Sequence, residues 1–385
     1  MNNKYDLIVV GGGVLGTFHA FHAAKKGLSV AILERDSRPQ GATVRNFGQV
    51  VPSGMNQKWQ DFGRETLSIY KDIQSQFDIT IRQNGTVYLA SNDEEVQLIE
   101  ELHQINKNNN YTSQLLNKKQ CLDKYAGLRS DYCKAGLFFP DEVTVEPKTM
   151  INRLHTFLSA QNNIQINYNT TVINTQEVNN HVVVTASNGI DYKASKVIIC
   201  NGADFKILYP SIYNNSDLVV SKLQMMQTKP QKNYTLDGSI LTGLTIRRYE
   251  AFEECASWKQ IKAKEDPNSF QEKYGIHILF KQATDGSVII GDSHEYASAQ
   301  NINDLGFDLN EKIDDYMIAE AKKIIDLPTY DIQYKWAGFY SQCKEKDIFE
   351  YNVSDNVHVI TGIGGKGMTG SAGFSKVNIN KIFNK

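Results

Sequence analysis

Apolar and polar positions fall into blocks whose lengths separate two kinds of element. Residues 5–10, Tyr-Asp-Leu-Ile-Val-Val, form a short β-rich run of the kind a strand buried on both faces of a parallel sheet needs. A glycine turn follows. Val14, Phe18, Phe21 and Ala24 then recur at helical spacing up to Gly27, which suits a helix C-terminus. A second buried run, residues 28–33, stops at Glu34. The stretch reads as one βαβ unit of about 30 residues.

Further along, Phe62, Thr66, Tyr70, Ile73 and Phe77 share one face of a helix predicted over 60–77. A strand over 85–90 and a helix from about Asp93 follow. A helix over 146–160 has Pro147 in its first turn. Strands are expected over 164–168, 171–178, 181–186 and 196–200. The stretch 211–344 alternates predicted strands (219–229, 240–249, 275–282, 287–291) with a helix near 310–325, and reads as an antiparallel sheet layer. Residues 357–361 form a last strand before a glycine-dense turn and a helix to about 382. No repeat, low-complexity segment or linker marks a boundary. The expectation is an α/β fold with an α+β substrate part. A Rossmann-like nucleotide-binding domain with a parallel sheet (1–84, 141–210 and 345–385) is interleaved with an antiparallel-sheet substrate domain (85–140 and 211–344).

Composition narrows the function classes. The 385 residues are too many for one simple core. A net charge of −2 gives no global pull toward nucleic acid or anionic membrane. No apolar run reaches the length of a secretory h-region or a membrane span. The five cysteines (Cys121, Cys133, Cys200, Cys255 and Cys343) are scattered without a CxxC pair, so disulfide, zinc and dithiol centres lack support and no metal is expected. A cytoplasmic enzyme is the simplest reading.

The chemistry-bearing motif is Gly11-Gly12-Gly13-Val14-Leu15-Gly16, which fits GxGxxG between a strand and a helix. The first glycine permits the turn, the second lets backbone approach a pyrophosphate, and the third lets helix and strand pack closely. The helix start offers N–H groups and a positive dipole end to phosphates. Glu34, 23 residues after Gly11, is placed to accept from a ribose diol and repels a 2′-phosphate, which argues against NADP.

Three further segments carry a resemblance: Gly41-Ala-Thr-Val-Arg-Asn-Phe-Gly48, Val197-Ile-Ile-Cys-Asn-Gly-Ala-Asp204 and His358-Val-Ile-Thr-Gly-Ile-Gly-Gly-Lys-Gly-Met368. With the first motif they resemble the D-amino-acid oxidase, glycine oxidase and sarcosine oxidase superfamily of flavoproteins, over effectively the whole chain. The resemblance implies FAD as cofactor. On it, Gly11, Gly13, Val14, Leu15, Gly16, Glu34 and Arg35 would hold the ADP half. Ala42, Thr43, Arg45, Asn46, Phe47 and Gly48 would run beneath the flavin. Val172, Asn201, Gly202, Gly362, Gly364, Gly365, Lys366, Gly367, Met368 and Thr369 would complete the cradle. Val44-Arg-Asn-Phe-Gly, Gly243-Leu-Thr-Ile-Arg-Arg-Tyr249, Tyr274-Gly-Ile-His277, Gly291-Asp-Ser-His-Glu-Tyr296 and Gly364-Gly-Lys-Gly-Met-Thr369 are similar to the subfamily associated with 2-aminoethylphosphonate breakdown. Its implied activity is oxidation of 2-aminoethylphosphonate, particularly N-methylated forms, to phosphonoacetaldehyde. Cys343 lies in a context unlike the relatives' flavin-linking cysteine, so non-covalent FAD is expected. The run Val288-Ile-Ile-Gly291 lacks the lysine that some relatives use for oxygen activation, which leaves O2 or another electron acceptor open.

The implied chemistry is hydride loss from a C–H beside a neutral amine, then hydrolysis of the iminium. The five glycines within Gly362–Gly370 suit a turn whose N–H groups face reduced flavin. Arg45 is a candidate for a substrate anion or the flavin edge, against a surface ion pair. Arg247 and Arg248 should point to opposite faces of a strand. Arg247, sharing a face with Tyr249, is expected to grip an anionic group. Lys366 is a candidate for the anion or for oxygen reduction, against a solvated turn lysine. His277 and His294 are candidates for contacting the amine or accepting its proton, against ordinary strand histidines. Tyr340 could close the pocket, while Trp336, His19 and His22 read as structural. Two rival readings keep the flavin: an oxidase of glycine, sarcosine or a D-amino acid, and a flavin domain acting on a modified nucleoside in RNA, which the missing basic stretch disfavours. A flavin-bearing interaction module without turnover is the remaining alternative. Oligomeric state is not legible.

Overall fold

A computed structural model describes residues 4–383 and places two sheets side by side. The first has eight strands. Its central path runs Phe349–Asn352, Val357–Thr361, Asp191–Ile199, Lys4–Val10, Val30–Leu33, Ile164–Asn167. The pairs among the last five are parallel, and the hairpin of Val172–Val178 and His181–Ala186 extends from Asp191–Ile199 in antiparallel register. Val30–Leu33 and Val357–Thr361 are buried at every residue; the first is therefore wholly apolar, while the second also buries His358 and Thr361.

Helices Val14–Lys25, Gln57–Gln76 and Gly367–Phe383 pack over this sheet. Phe18, Trp59 and Tyr70 are fully buried between them, each stabilising the layer by about 1.5–3 kcal/mol. Trp59 stacks on Phe374 with centroids 5.7 Å apart. His22 Nε2 lies 2.9 Å from the Ala372 carbonyl, and His19 Nε2 lies 3.1 Å from Asn378 Oδ1, so both histidines tie the first helix to the last.

The second sheet has nine strands and is antiparallel except where Ser239–Leu241 runs parallel to Thr86–Ala90. Its longest pairing joins Leu218–Thr228 to Ile332–Cys343. The latter strand was not expected. Its first half reads polar (Gln333, Tyr334 and Lys335 are exposed), and only the second half turns inward. A two-residue ladder, Gln49–Val50 with Val143–Thr144, lies where the chain crosses between the sheets.

The expected strand over 240–249 is corrected. It stops at Leu241, and Gly243–Ile246 is a helical turn. The Thr242 hydroxyl donates to the Ile278 carbonyl (2.8 Å) and the Thr242 N–H lies 3.4 Å from Thr245 Oγ1, side-chain bonds that compete with the strand ladder. The expected strand over 275–282 begins only at Leu279, which leaves His277 on the preceding loop. Among the described residues, no helix is long and apolar enough to cross a membrane.

Candidate active site

The first strand and helix are joined as the glycine pattern requires. Gly11 has φ +101°, and a Cβ there would sit 2.3 Å from the Cys200 carbonyl oxygen. At Gly16 a Cβ would meet the Gly11 carbonyl oxygen at 2.1 Å, so helix and strand approach as closely as backbone allows. No side chain caps the helix at Gly13; instead Val14 N–H donates to Thr43 Oγ1 (2.9 Å), drawing in the 41–48 loop. Glu34 is buried, with Oε2 accepting from Gly12 N–H (2.7 Å) and Oε1 from Asp36 N–H (2.9 Å). His155, not foreseen, supports the turn. Its Nε2 lies 2.9 Å from the Gly12 carbonyl, and burial holds its pKa down to about 4.

The glycine turns from the two chain ends meet. A Cβ on Gly367 would lie 3.8 Å from Val14 Cγ1, and Thr361 Oγ1 donates to the Gly202 carbonyl at 2.7 Å. Together they border one cavity of about 750 Å³. Gly11, Gly13, Val14, Leu15, Gly16, Glu34, Arg35, Ala42, Thr43, Asn46, Phe47, Val172, Asn201, Gly202, Gly362, Gly364, Gly365, Lys366, Gly367, Met368 and Thr369 all line it. Gly48 does not: it packs against the Val145 carbonyl instead. Asn46 spends its side chain on the loop, donating to Thr43 O (2.7 Å) and accepting from Gly48 N–H (2.7 Å). Arg35 pairs with Asp204 at 2.6 Å.

The opposite wall comes from the second sheet. Tyr249, His277, His294 and Tyr340 line it, together with Arg248 and Asp292, which sequence reasoning did not select. Arg247 is the largest misplacement. With the strand replaced by a helical turn, alternation fails and Arg247 points away, into Glu94 (3.1 Å), Glu95 (3.0 Å) and Glu265 (3.1 Å). Arg248 takes the cavity face. Its guanidinium packs over Gly275 and donates to the Tyr296 hydroxyl (2.9 Å). Arg45 also lies outside the cavity lining. Its Nε donates to the Gln40 carbonyl (2.9 Å), while its own carbonyl accepts from Trp336 Nε1 (3.1 Å) and Tyr340 OH (3.2 Å), so it latches the loop to the long strand. Lys366 borders the cavity with its charge engaged, 2.5 Å from Glu250 and 3.5 Å from Asp347.

Among the described residues, no ion pair joins Arg248 to a carboxylate, which leaves its charge available to an anion. His277 Nε2 lies 2.6 Å from Asp292 Oδ1. Burial pushes Asp292 up, but His277 close beside it and the Arg248 guanidinium outweigh that and hold the carboxyl below its usual range. Burial, with Arg248 and His277 adding to it, lowers His294 to about 3, so that ring is neutral. Burial pushes the Tyr249 and Tyr340 phenols well up, keeping both protonated.

The donor set fits a flavin dinucleotide. Among the described residues, the buried Asn201 Oδ1 at the cavity wall has no hydrogen-bond partner and a Cβ on Gly365 would meet nothing within 4 Å, so the cradle is open where a nucleotide would lie. Cys343 also reaches the cavity, with burial pushing its thiol up to about 12, which makes it a poor nucleophile.

Comparison with known proteins agrees. The chain is 22% identical over 355 residues to a subunit of opine oxidase from Rhizobium meliloti, covering 87% of this chain and 82% of that one. Its fold is similar to that of glycine oxidase from Geobacillus kaustophilus (TM-score 0.77, 15% identity, 99% and 95% of the chains). L-Proline dehydrogenase from P. horikoshii is similar too (TM-score 0.80, 17% identity, 100% and 94%). The family model described as FAD dependent oxidoreductase (DAO) matches residues 6–378, the span that carries both glycine turns and both sheets, and the chain therefore belongs to that family of flavoenzymes.

Proposed function

We propose that the protein binds FAD non-covalently and oxidises a small anionic amine, with (N-methyl) 2-aminoethylphosphonate as the preferred substrate and phosphonoacetaldehyde as its product. The observation that carries this reading is Arg248, a cavity-facing guanidinium that forms no ion pair with a carboxylate among the described residues, on the wall opposite the dinucleotide cradle. A phosphonate carries close to two charges, and guanidinium is the side chain best shaped to hold it bidentately. The two sheets are proposed to mark two interleaved domains, with the bounds given above, that bring cradle and substrate wall together.

Bound FAD supplies the hydride acceptor. The chain supplies the rest. Arg248 anchors the anionic end, while Tyr249 and Tyr340 narrow the space beside it. Leu223 and Leu279 line the same cavity and exclude water from the reacting carbon. Residues 362–369, with the start of the Gly367–Phe383 helix, line the cavity, and their backbone N–H groups would stabilise negative charge on a bound flavin.

A second reading, oxidation of glycine, sarcosine, a D-amino acid or a related amino acid, keeps the same machinery. It is favoured by the likeness to opine oxidase and glycine oxidase, and Arg248 would hold a carboxylate equally well. Anaerobic mixing of the holoenzyme with N-methyl-2-aminoethylphosphonate, 2-aminoethylphosphonate, glycine and sarcosine decides. Rapid flavin bleaching by the phosphonates alone supports the first reading. Bleaching by the carboxylates alone supports the second.

A further inference from the structure

Beside Arg248 the cavity wall holds a cluster in which Asp292 joins His277 and His294. Leu279–Gln282 and Val288–Gly291 are antiparallel neighbours, with Leu279 opposite Gly291, so the residues just before the first and just after the second meet at the cavity wall. Backbone bonds fix the meeting: His277 N–H donates to the Asp292 carbonyl (3.0 Å) and His294 N–H to the Tyr274 carbonyl (2.6 Å). His277, Asp292 and His294 thereby bring one ligating atom each within 4.8 Å of one another.

Three chemistries compete for this cluster: a metal site, a general base, and a fixed negative charge. A metal is disfavoured by geometry. Two ligands about 2.0 Å from a tetrahedral zinc lie about 3.3 Å apart, whereas His277 Nε2 and Asp292 Oδ1 are 2.6 Å apart, and a guanidinium already stands beside them. The histidines make weak bases for the substrate. His294 commits Nδ1 to the Gly275 carbonyl (3.0 Å), and His277 directs Nε2 at Asp292 while its Nδ1 is buried away from solvent. What remains is the carboxylate. Asp292 is only 6% exposed, lines the cavity, and is surrounded by groups that favour its ionised form. Titratable and charged groups face it from every element packed on it: His277 from the preceding loop, His294 from its own segment, Arg248 and Tyr249 from beyond the helical turn, and Tyr340 from the long strand; of these His277 and Arg248 favour the carboxylate. The two phenols stay neutral, and Arg45 and Glu142 act only at one remove, through the tyrosines.

We propose that Asp292, oriented by His277, is the amine-binding residue of this site, and that with Arg248 it reads both ends of a zwitterion. The cavity then presents one fixed anion and one fixed cation on the same wall, suited to a substrate with ammonium and anionic groups a short chain apart. It selects against simple alkylamines, which bring Arg248 no anion, and against anions without an amine, which bring Asp292 no cation. The inference rests on the reading of this cavity as an amine site, and it has an unusual consequence. An ionised carboxylate beside the nitrogen favours the ammonium form, yet oxidation requires the neutral amine. Asp292 therefore strengthens binding while holding the amine's pKa up in the complex, the opposite of what a general base does.

The test uses holoenzyme carrying Asp292→Asn, an isosteric change that removes the charge, with retained FAD binding as the folding control. His277→Gln serves as the positioning variant. Flavin reduction by N-methyl-2-aminoethylphosphonate is followed anaerobically against pH and substrate concentration. Equilibrium binding of an alkylphosphonate that lacks the amine is measured in parallel. In Asp292→Asn, substrate binding is expected to weaken roughly 10- to 100-fold. The acid limb of the limiting reduction rate should move down by about one pH unit. Affinity for the amine-free phosphonate should stay the same or rise. His277→Gln should show a smaller change in the same direction. A collapse of the limiting rate at every pH with unchanged binding would make Asp292 a general base and overturn the proposal. So would stoichiometric Zn²⁺ held by the wild type and lost in the variant, or unchanged binding and pH profile. If no amine of the panel reduces wild-type flavin, it is the amine reading itself that fails.

Discussion

At the scale of single residues, the neighbouring arginines separate structural from functional charge. Arg247→Ala should leave KM for the amine unchanged and lower stability by about 2–3 kcal/mol, because Glu95, 4% exposed in its side chain, loses its cation. Thermal unfolding beside steady-state kinetics checks this. Arg248→Ala should do the reverse, raising KM for the anionic amine roughly 10- to 100-fold, the worth of a lost charge-assisted contact, while the melting temperature hardly moves. The sequence reading put the cavity-facing charge on Arg247, whereas the structure puts Arg248 on the cavity and Arg247 among three glutamates. Strand parity was sound physics applied to a segment that is not a strand, since Thr242 bends the chain one residue after Leu241. Asp292 sat inside a motif already singled out, but nothing in Gly-Asp-Ser-His reveals that a histidine fifteen positions earlier would face its carboxylate.

At the scale of elements, the glycine turns were the most legible feature, because glycines such as Gly11 and Gly16 answer a local steric demand. Gly11→Ala should abolish both folding and FAD binding, since its Cβ meets the Cys200 carbonyl and its φ is positive. Gly365→Leu should divide these properties. The apo protein should melt as the wild type does, because nothing lies near that Cβ, while FAD affinity falls at least tenfold as the side chain enters the cradle. Calorimetry of the apo form and FAD titration read the two effects separately. Buried parallel strands were readable for a similar reason, in that each carries its own apolar signature. The strand Ile332–Cys343 was not, because its exposed half carries polar residues and its register is set by a partner more than a hundred positions away. His155 was equally invisible, since its contact with Gly12 spans 143 positions.

At the scale of the whole molecule, the seam between the sheets holds a buried carboxyl. Glu142 is fully buried, accepting from Ser53 N–H (2.8 Å) and Tyr111 OH (2.9 Å), and burial raises it to about 7 despite those bonds. The folded state therefore binds a proton that the unfolded state releases near the ordinary carboxyl value. The stabilising contribution of this group is complete below that value and is lost as pH rises through about 7. The loss is about 3 kcal/mol at most. Glu142→Gln should flatten the fall in stability between about pH 4.5 and 7, measured by denaturant unfolding of the holoenzyme at a series of pH values. Interleaving was expected because no linker marks a boundary along the chain, whereas the seam was not legible, because it is made by residues that no local pattern links.

The expectations about catalysis and binding depend on one FAD seated between the turns at Gly11 and Gly362. The most direct measurement is a titration of the apo protein with FAD, followed by flavin fluorescence and then by denaturation and filtration. One FAD bound per chain and recovered free after denaturation is the expected result. A protein that stays colourless and takes up no FAD, or a flavin that remains attached to the unfolded chain, would contradict it.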